Sequence, residues 1–561
     1  MHKPTPWMLR RDSSGFLLRW NEDLARQWRE AGLWRKETLV DTAQARVDED
    51  PDRLLVVDGE QRLSRGEAWE MARRFAGFLR SRGLGPGDAV AFQLPNWWEA
   101  HVVALGLRLA GAVAVPLPPI YREAELRHML GSTRARLLVL PEHFRRYDHL
   151  AMASSLQREL PNLRELLVVR GSGRGNPVFE EAIAAPPADP VPLDPASCFQ
   201  VMFTSGTTGR AKGVLHTHQA FDYKARQMVE AWGVGPADVI FMPSPVTHVT
   251  GAIWAFDIPW IAGARAVLLD VWAPAEALRL IRDEGCTISG GATPFLRELL
   301  EVADREPEAL ASLRLFFCGG TAVPASLIHR VARAFPHCLF FRAYGSTEVM
   351  TVTLGIRGPE EAAYGAETDG IVLPPIEVKL LAEDGRVVTV DGEIGEILAR
   401  GPEQFSGYLD PADNEGAFDE EGFFRTGDLG RWVEGRYLVI AGRKKEIIIR
   451  AGENISPKEV EDVLAGHSAV AEVAVVAMPH RRTGETGCAF VVPRPGAVLD
   501  LAEMRRFLAA AGLARQKFPE WLELVDNLPR VSSGKVRKEA LRERARQIAI
   551  REGFVHGEEM K

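Results

Sequence analysis

The sequence predicts an α/β protein with a large N-terminal domain and a smaller α+β domain after it. Short apolar runs alternate with helical patterns over residues 54–345, which is typical of two wound α/β subdomains. Over residues 365–441 short strands and turns follow one another, which indicates a small β-rich subdomain. Strands and helices begin again after a glycine and three basic residues. We therefore expect domains over 1–441 and 446–561, joined at 442–445.

The first elements carry clear local signals. A strand is predicted at Leu54–Val57, and Ser64 with Glu67 makes a capping box for a helix that Gly83 ends. The stretch 171–195 is rich in glycine and proline, and we expect it to be a surface connection between the two wound units. Further strands are predicted at 89–94, 136–140, 166–169, 201–203, 266–269 and 313–317.

The second half of the chain has signals of the same kind. Ser456, Pro457 and Glu459 predict a helix with an N-cap, a proline at its first position and a capping-box glutamate. The closing arginine-rich helix, 536–550, is predicted to present a solvated face. Strands are predicted at 377–381, 394–399, 437–440, 447–449, 473–478, 489–492 and 522–525.

Composition excludes several classes of protein. Apolar residues are 46% and charged residues 26% of the chain, and the net charge of −8 provides no basic field for nucleic acid. No segment has the ~20 apolar residues that span a bilayer, and the N-terminus lacks the apolar run of a signal peptide. Five cysteines without CxxC spacing argue against a disulfide framework or a zinc site. We expect a cytoplasmic enzyme.

The loop from Thr204 to Gly213 is the most informative motif. It follows an apolar run and contains hydroxyls, glycines and a single lysine, Lys212. Close backbone N–H groups, hydroxyls and a cation suit the oxygens of a polyphosphate. It differs from the common P-loop because Ala211 precedes the lysine and no Ser or Thr follows it. By itself such a loop could also be a solvated turn.

Three further motifs are weak when taken singly. Tyr344–Glu348 places a carboxylate and hydroxyls at a strand end, where they could hold Mg²⁺ and a phosphate oxygen. Asp428 follows a tight glycine turn and could accept both hydroxyls of a ribose. Lys535 ends a Ser/Gly loop, and its ammonium could neutralise charge where a carboxylate meets a phosphate. Without a functional role, Glu348 would be an exposed glutamate, the turn at Asp428 an ordinary glycine turn, and Lys535 a solubilising surface lysine.

Taken together, the motifs resemble the adenylate-forming superfamily of acyl-CoA synthetases, carrier-domain adenylation domains and luciferases. The resemblance covers about residues 50 to 545. Segments Leu94–Glu99 and Pro243–Gly251 resemble the branch that activates medium-chain and alicyclic acids such as cyclohexanecarboxylate. The matching segments are Thr204–Gly213, Tyr344–Glu348, Gly395–Gly401 with Gly407–Tyr408, Arg425–Asp428, Gly442–Arg443, Gly452–Glu459 and Ser533–Lys535.

The resemblance implies a two-step ligase that uses ATP, Mg²⁺ and coenzyme A. A carboxylate would form an acyl-adenylate and pyrophosphate, and a thiol would then displace AMP. Lys535 would bridge the carboxylate and the α-phosphate, Thr347 would contact that phosphate, and Glu348 would bind Mg²⁺. The remaining nucleotide residues would be Thr204, Ser205, Gly206, Thr207, Thr208, Gly209, Lys212, Gly319, Gly320, Thr321, Tyr344, Gly345, Ser346, Asp428 and Arg443.

The resemblance also assigns an acyl pocket. The segment 243–254 has no acid, so an amino acid's ammonium would stay unpaired there at a cost of several kcal/mol. We therefore expect a substrate whose carboxylate is its only charge, and we expect Asp257 to be structural. His248 would lie between acyl group and thiol as a catalytic residue, unless it is a core histidine, and the pocket walls would be Val249, Gly251, Trp254 and Val349.

Domain rotation between the two steps is a further implication. Lys445 would be the hinge, and rotation would withdraw Lys535 and present Gly452, Glu453 and Asn454 to the thiol. No carrier domain follows Lys535 in this sequence, which favours free coenzyme A. A stand-alone enzyme that loads a carrier protein and a catalytically silent nucleotide-binding protein are the alternatives. The expected partners are small molecules, without nucleic acid or a membrane span, and a homodimer is compatible with the sequence.

Overall fold

The computed structural model describes residues 7–204, 210–320, 323–451, 453–530 and 535–555. Its larger part is built from strands that mostly alternate with helices. In chain order these strands are β1 (Met8–Arg11), β2 (Leu17–Trp20), β3 (Leu54–Asp58), β4 (Gln61–Ser64), β5 (Ala89–Phe92), β6 (Val113–Pro116), β7 (Leu137–Pro141), β8 (His143–Phe144), β9 (Tyr147–Asp148), β10 (Glu165–Val169), β11 (Cys198–Thr204), β12 (Lys212–Thr217), β13 (Val239–Met242), β14 (Arg265–Leu268), β15 (Ile288–Gly291), β16 (Leu315–Gly319) and β17 (Leu339–Ala343).

The strands of the β-rich and C-terminal parts follow. They are β18 (Glu377–Leu381), β19 (Gly395–Arg400), β20 (Phe424–Val433), β21 (Tyr437–Arg443), β22 (Ile448–Arg450), β23 (Glu453–Ile455), β24 (Val470–His480), β25 (Gly484–Pro493) and β26 (Trp521–Leu524).

The helices cover the sheets and connect their strands. They are α1 (Glu22–Glu30), α2 (Leu39–Glu49), α3 (Arg65–Ser81), α4 (Trp98–Ala110), α5 (Glu123–Thr133), α6 (His149–Glu159), α7 (Phe179–Ala184), α8 (His218–Ala231), α9 (Val249–Ala252), α10 (Ile258–Ala262), α11 (Pro274–Glu284), α12 (Thr293–Ala303), α13 (Ala325–Ala334), α14 (Ala362–Glu367), α15 (Pro457–Leu464), α16 (Leu501–Ala510) and α17 (Lys538–Arg551). None of these described helices combines the length and apolar character that a membrane crossing requires.

Two wound sheets form the larger domain. In the first, the strand order is β10-β7-β5-β6-β11-β12, parallel except for β12, which pairs antiparallel with β11. In the second, the order is β17-β16-β15-β13-β14-β3-β4, parallel except for β4. One hydrophobic core contains side chains from both sheets and from the helices between them, including Phe75, Phe92, Ile240 and Trp254.

Two smaller sheets follow along the chain. Strands β18 to β21 form an antiparallel sheet in sequence order. The C-terminal sheet has the order β23-β22-β25-β24, with β26 beside β25. Helices α15 and α16 bury Val460 and Met504 in one apolar cluster of this domain, and α17 buries Leu541 and Ile548 in another. The predicted α/β fold with a large N-terminal and a small C-terminal domain is confirmed.

Local predictions succeeded where the signal was satisfied within its own segment. Ser64 and Glu67 make both capping-box hydrogen bonds at the start of α3. Ser456 is the N-cap residue of α15 and Pro457 its first residue, as predicted, but the Ser456 hydroxyl donates to the carbonyl of Ala441 instead of accepting a capping hydrogen bond. Glu459 pairs with Lys517, 2.6 Å away. These two side chains find partners far away in the chain, which a local pattern does not reveal.

Two predicted surface segments are partly buried. The stretch 171–195 contains α7, and Phe179 of that helix is 1% exposed in the main core. The closing helix runs over Lys538–Arg551 and buries four side chains against the C-terminal sheet, namely Leu541, Ala545, Ile548 and Ala549. In both segments a few apolar residues decide the packing despite a polar or proline-rich composition.

Candidate active site

The first component of the site is the hairpin of β11 and β12. Thr204 and Lys212 face each other at its open end, so they flank the connection 205–211, of which residues 205–209 lie outside the described part of the chain. The Lys212 ammonium lies 3.2 Å from a carboxylate oxygen of Asp413 and 4.8 Å from the ring centroid of Tyr408. The hairpin thus presents a hydroxyl and a restrained cation at the edge of the first sheet.

The second component is the turn that follows β17. Ser346 accepts hydrogen bonds at its hydroxyl from the backbone N–H groups of Glu348 and Val349, both 3.2 Å. The backbone N–H of Tyr344 donates to the hydroxyl of Thr353, 2.8 Å. A Cβ atom on Gly345 would stand 2.2 Å from the backbone nitrogen of Thr351, so the close approach of the turn to itself requires glycine here.

Glu348 connects this turn to the hairpin. Its Oε1 accepts from the hydroxyl of Tyr408 at 3.0 Å and from that of Thr204 at 3.5 Å. Thr347, beside it, is buried. Mg²⁺ typically binds one or two protein carboxylates and completes its octahedral shell with water and phosphate oxygens. A single half-buried carboxylate next to a proposed phosphate loop fits that demand.

The third component joins the second wound sheet to the β-rich sheet. Asp428 on β20 faces Arg443 on β21, and the Arg443 Nε lies 2.9 Å from its carboxylate. The hydroxyl of Tyr344 donates to the other carboxylate oxygen at 2.8 Å. Burial, and then the charge of Asp428, raise the pKa of Tyr344, so the phenol stays protonated. The charge of Asp428 also raises the pKa of Arg443.

Lys535 comes from the C-terminal domain and enters the same region. Its Cε lies 3.8 Å from the point that a Cβ on Gly320 would occupy. Burial lowers the pKa of the ammonium, and the charge of Arg443 lowers it further. Three carboxylates act in the opposite direction, those of Asp428, Glu348 and Glu446. The Lys535 ammonium and the Arg443 guanidinium thus lie in the field of the same three acids, which offsets part of their mutual repulsion.

Gly319 and Gly320 form the floor beside Lys535. Gly319 is paired with Ala343 on the neighbouring strand β17, and a Cβ on it would stand 2.7 Å from the carbonyl oxygen of Ala343. Gly320 has a φ of +75°, which an L side chain rarely adopts. The chain can therefore change direction at the end of β16, and neither glycine has a side chain that would cover its own backbone.

The residues assigned to the acyl pocket are distributed between two clusters. His248 precedes α9, and burial together with the charge of Lys535 lowers its pKa to about 4. Val249 and Trp254 belong to the main core, where the Trp254 ring stacks on Trp232 and Phe317 with centroids 5.4 and 4.9 Å apart.

Two other pocket assignments show different surroundings. Val349 is fully buried in a separate cluster that also contains Tyr408. A Cβ on Gly251 would stand 2.1 Å from the carbonyl oxygen of Pro245, so this glycine serves a close backbone approach. Asp257, expected to be structural, forms a buried bidentate ion pair with Arg108 at 2.9 and 3.1 Å.

Some of the predicted site residues are not among those that the structure describes. Ser205, Gly206, Thr207, Thr208, Gly209, Thr321, Gly452 and the side chain of Asn454 lie outside the described residues. Glu453 begins β23 and is exposed. Lys445 lies in the 3₁₀ turn Lys444–Glu446 that links the β-rich and C-terminal sheets.

The structure adds residues that sequence reasoning did not assign to the site. Tyr408 contacts Glu348 and Lys212, and Asp413 holds Lys212. The matched segment Gly407–Tyr408 offered a signal for the tyrosine, whereas nothing local marks Asp413 among the other acids of 410–421. Glu446 contributes its charge to Lys535 from the linker turn.

Comparison with known proteins identifies the two parts of the chain. The family model described as AMP-binding enzyme matches residues 43–409. A second model, described as AMP-binding enzyme C-terminal domain, matches residues 459–535. The first match covers more than half of the chain, and the second ends at the lysine that enters the site.

Individual relatives agree over nearly their whole length. A medium-chain fatty-acid–CoA ligase of Escherichia coli (strain K12) is 35% identical over 545 residues, which cover 95% of each chain. A salicyl-AMP ligase/salicyl-S-ArCP synthetase of Mycobacterium tuberculosis is 32% identical, over 95% of this chain and 94% of the relative. The ATP-bound crystal structure of MatB from Rhodopseudomonas palustris superposes with a TM-score of 0.80 at 29% identity, over 91% of this chain and 99% of MatB.

Proposed function

The chain belongs to the AMP-binding enzyme family, and from that premise we propose an ATP-dependent acyl-CoA ligase for medium-chain, alicyclic or aromatic carboxylic acids. Family membership makes it an AMP-forming acyl-CoA synthetase that uses ATP, with Mg²⁺ and coenzyme A as the family standard. The proposal concerns the acid, the thiol and the residues that act on them.

We propose that the nucleotide lies along the components described above. The hairpin loop would bind the β- and γ-phosphates with Thr204, Lys212 and the glycines and hydroxyls between them. Asp428 and Arg443 would bind the ribose, and Tyr344 with Gly319, Gly320 and Thr321 would flank the adenine. Support comes from the hydrogen bonds that connect Thr204, Glu348 and Tyr408, because they hold the phosphate end of this path together.

In the first step, a carboxylate oxygen of the acid attacks the α-phosphorus of ATP, and the bond to the pyrophosphate oxygen breaks. Both reactants are anions, so alignment and charge neutralisation should supply most of the rate. Lys535 would bridge the carboxylate and the α-phosphate, and Thr347 would donate to a phosphate oxygen. Bound at Glu348, Mg²⁺ would offset negative charge on the phosphates.

In the second step, the thiol sulfur attacks the acyl carbon, and AMP leaves with the bonding electron pair. We propose that Lys445 is the hinge between a domain over 1–441 and a lid over 446–561. Rotation there would remove Lys535 and present Gly452, Glu453 and Asn454 to the thiol. His248, whose pKa burial and the charge of Lys535 lower to about 4 while that lysine is in place, would line the junction between the acyl group and the thiol.

The proposed substrate class rests on the lack of an acidic side chain in segment 243–254. Segment 243–254 contains no acid, and the nearby Asp257 is already paired with Arg108. A substrate ammonium would therefore remain uncompensated. We propose that Val249, Gly251, Trp254 and Val349 shape an apolar acyl site, and that an aliphatic or aryl acid without a second charge occupies it.

The observation that carries the proposal is the entry of Lys535, from the second domain, among Glu348, Asp428 and Arg443. The test is a competitive panel of medium-chain, cyclohexane and benzoic acids with ATP, Mg²⁺ and free coenzyme A, with products identified by mass. We expect acyl-CoA and AMP from an uncharged-tail acid. Absence of pyrophosphate release with every acid would favour a catalytically silent protein.

A stand-alone carrier-loading enzyme is the second candidate, since the similar protein of Mycobacterium tuberculosis is a salicyl-AMP ligase/salicyl-S-ArCP synthetase. Pyrophosphate exchange without acyl-CoA formation would favour it. A cytoplasmic location and a homodimer stay predictions; fractionation and sedimentation would test them.

A further inference from the structure

Helix α8 buries a lysine completely. Lys224 is 0% exposed, and its ammonium donates to the carbonyl oxygen of Thr351 at 2.8 Å and to Oε1 of Gln227 at 2.7 Å. An ammonium in an apolar interior is costly unless it is paired and hydrogen-bonded. A hydrophobic residue would fill the same volume without that cost, so the contact to Thr351 requires an explanation.

Thr351 is a strained point of the turn that carries Thr347 and Glu348. Its φ is +50°, in the left-handed region that non-glycine β-branched residues rarely adopt. Its backbone nitrogen also packs closely against Gly345, as the 2.2 Å distance to a hypothetical Cβ there indicates. Lys224 thus binds the carbonyl of the residue that closes the turn.

The position of Lys224 in the chain connects two components of the site. Helix α8 starts directly after β12, the second strand of the hairpin. Its N-terminal end therefore follows the hairpin, and its middle holds the turn through Lys224. Because a helix is stiff over this distance, the contact fixes the spacing between the two components.

We propose that Lys224 is a positioning residue for adenylate formation: it holds the Tyr344–Thr351 turn against the hairpin, and so sets Thr347 and Glu348 at the phosphates. This inference rests on the proposed nucleotide path. Lys224 is fully buried and would act through the Thr351 carbonyl rather than on a substrate.

A purely structural role offers a rival account. Glu403 is 0% exposed, and neither of its carboxylate oxygens has a hydrogen-bond partner within the described part of the chain. Burial raises the pKa of this carboxyl, and the charge of Lys224 opposes that effect. Lys224 could therefore serve only to balance a buried negative charge.

A double-variant comparison separates the two accounts. Lys224→Met removes the donor and leaves Glu403 unbalanced, Glu403→Gln removes only the acid, and the double variant restores a neutral interior. Thermal unfolding reports the charge balance, and ATP–pyrophosphate exchange with the best acid of the panel reports positioning. The wild-type enzyme must first show exchange; if it does not, the proposed function fails rather than this inference.

If Lys224 positions the turn, the double variant regains the melting temperature but not the rate. A displaced catalytic turn can cost ~100-fold, and we expect kcat for exchange to fall by about 30- to 100-fold while the KM for ATP changes less than ~5-fold. Recovery of kcat together with stability in the double variant would overturn the proposal, as would wild-type kcat in Lys224→Met.

If the Lys224 variants fail to fold, Glu403→Gln still distinguishes the positioning role from the charge-balance role. It preserves both hydrogen bonds of Lys224, so we expect kcat to stay within about 3-fold of the wild type even at a lower melting temperature. A loss of ~30-fold or more in this variant would mean that charge balance supports the activity, and the positioning role would be wrong.

Discussion

Two parts of the candidate site are held in different ways. The hairpin, the 344–348 turn and the Asp428–Arg443 pair belong to the large domain, where strand pairing and short hydrogen bonds fix them. Lys535 reaches them from the small domain. Polar contacts across this boundary include the ion pair of Arg297 with Glu472 and the hydrogen bond from the Ser456 hydroxyl to the Ala441 carbonyl.

The large domain fixes the groups assigned to the phosphates before the substrates bind, and the small domain supplies the lysine. In the proposed two-step reaction, the groups assigned to the phosphates would keep their geometry in both domain arrangements, whereas the Lys535 ammonium would be present in only one. If the lysine belongs to a mobile domain, one rotation can remove it after the first step and open a channel for the thiol in the second step.

The largest effect should come from removing Lys535, the group that the small domain supplies. Lys535→Ala should lower adenylate formation by ~100- to 1,000-fold, in the range seen when a preorganised transition-state donor is lost. Thioester formation from supplied acyl-adenylate should stay near the wild-type rate, because the lysine is withdrawn for that step. Separate assays of the two half-reactions measure this.

Lys517→Ala is the matched control for that variant. Lys517 is in the same domain and pairs with Glu459, which has no assigned role in the site, so both half-reactions should survive. Equal loss of both half-reactions in a folded Lys535→Ala protein would contradict the conditional role.

The hinge should produce the next largest effect. Lys445→Pro fixes φ at one linker residue, and we expect it to slow the thioester step ~10- to 100-fold while adenylate formation changes less than ~5-fold. Lys445→Ala, which keeps backbone freedom, is the control. A proline variant that slows both steps alike would place the hinge elsewhere.

A buried histidine should make the preorganised part sensitive to acid. His216 on β12 is 0% exposed, and burial lowers its pKa from 6.5 to about 3. Between these values the unfolded chain binds a proton that the folded chain does not, so stability falls as pH falls from 6.5 toward 3. At pH 5 one such group costs about 2 kcal/mol.

Denaturant unfolding of wild type and His216→Gln at pH 7.5 and pH 5 isolates that term, because the other buried histidines are common to both proteins. The wild type should lose about 2 kcal/mol more than the variant between the two pH values. Parallel pH dependence would show that His216 titrates normally.

The smallest effect is expected at the domain boundary. Arg297 on α12 donates to the Ala471 carbonyl at 3.2 Å and to Glu472 at 2.9 Å, and Glu472 also pairs with Arg530, which precedes the Lys535 loop. A partly exposed pair contributes ~1 kcal/mol or less, so Arg297→Ala should slow adenylate formation ~2- to 5-fold and spare the thioester step.

Arg330→Ala is the control for this variant, because it breaks an exposed pair with Asp304. It should change neither half-reaction. If its effect equalled that of Arg297→Ala, the boundary contact would have no special role.

Sequence predicted the wound sheets because each strand and helix carries its own period, as α3 does with its capping box. It could not predict that the Ser456 hydroxyl donates to Ala441 across the linker, or that α7 forms, because six residues are too few for a helical pattern. Family motifs pointed to Lys535 and Glu348. Asp413 and Lys224 stayed hidden, because their partners Lys212 and Thr351 are distant in the chain.

A crystal structure with ATP, Mg²⁺ and the substrate acid in the adenylate-forming state tests the central claim most directly. The triphosphate should follow the hairpin between Thr204 and Lys212, and the Lys535 ammonium should lie within hydrogen-bond distance of the α-phosphate. Phosphates bound away from that hairpin, or a lysine held out of their reach by the lid, would contradict the account.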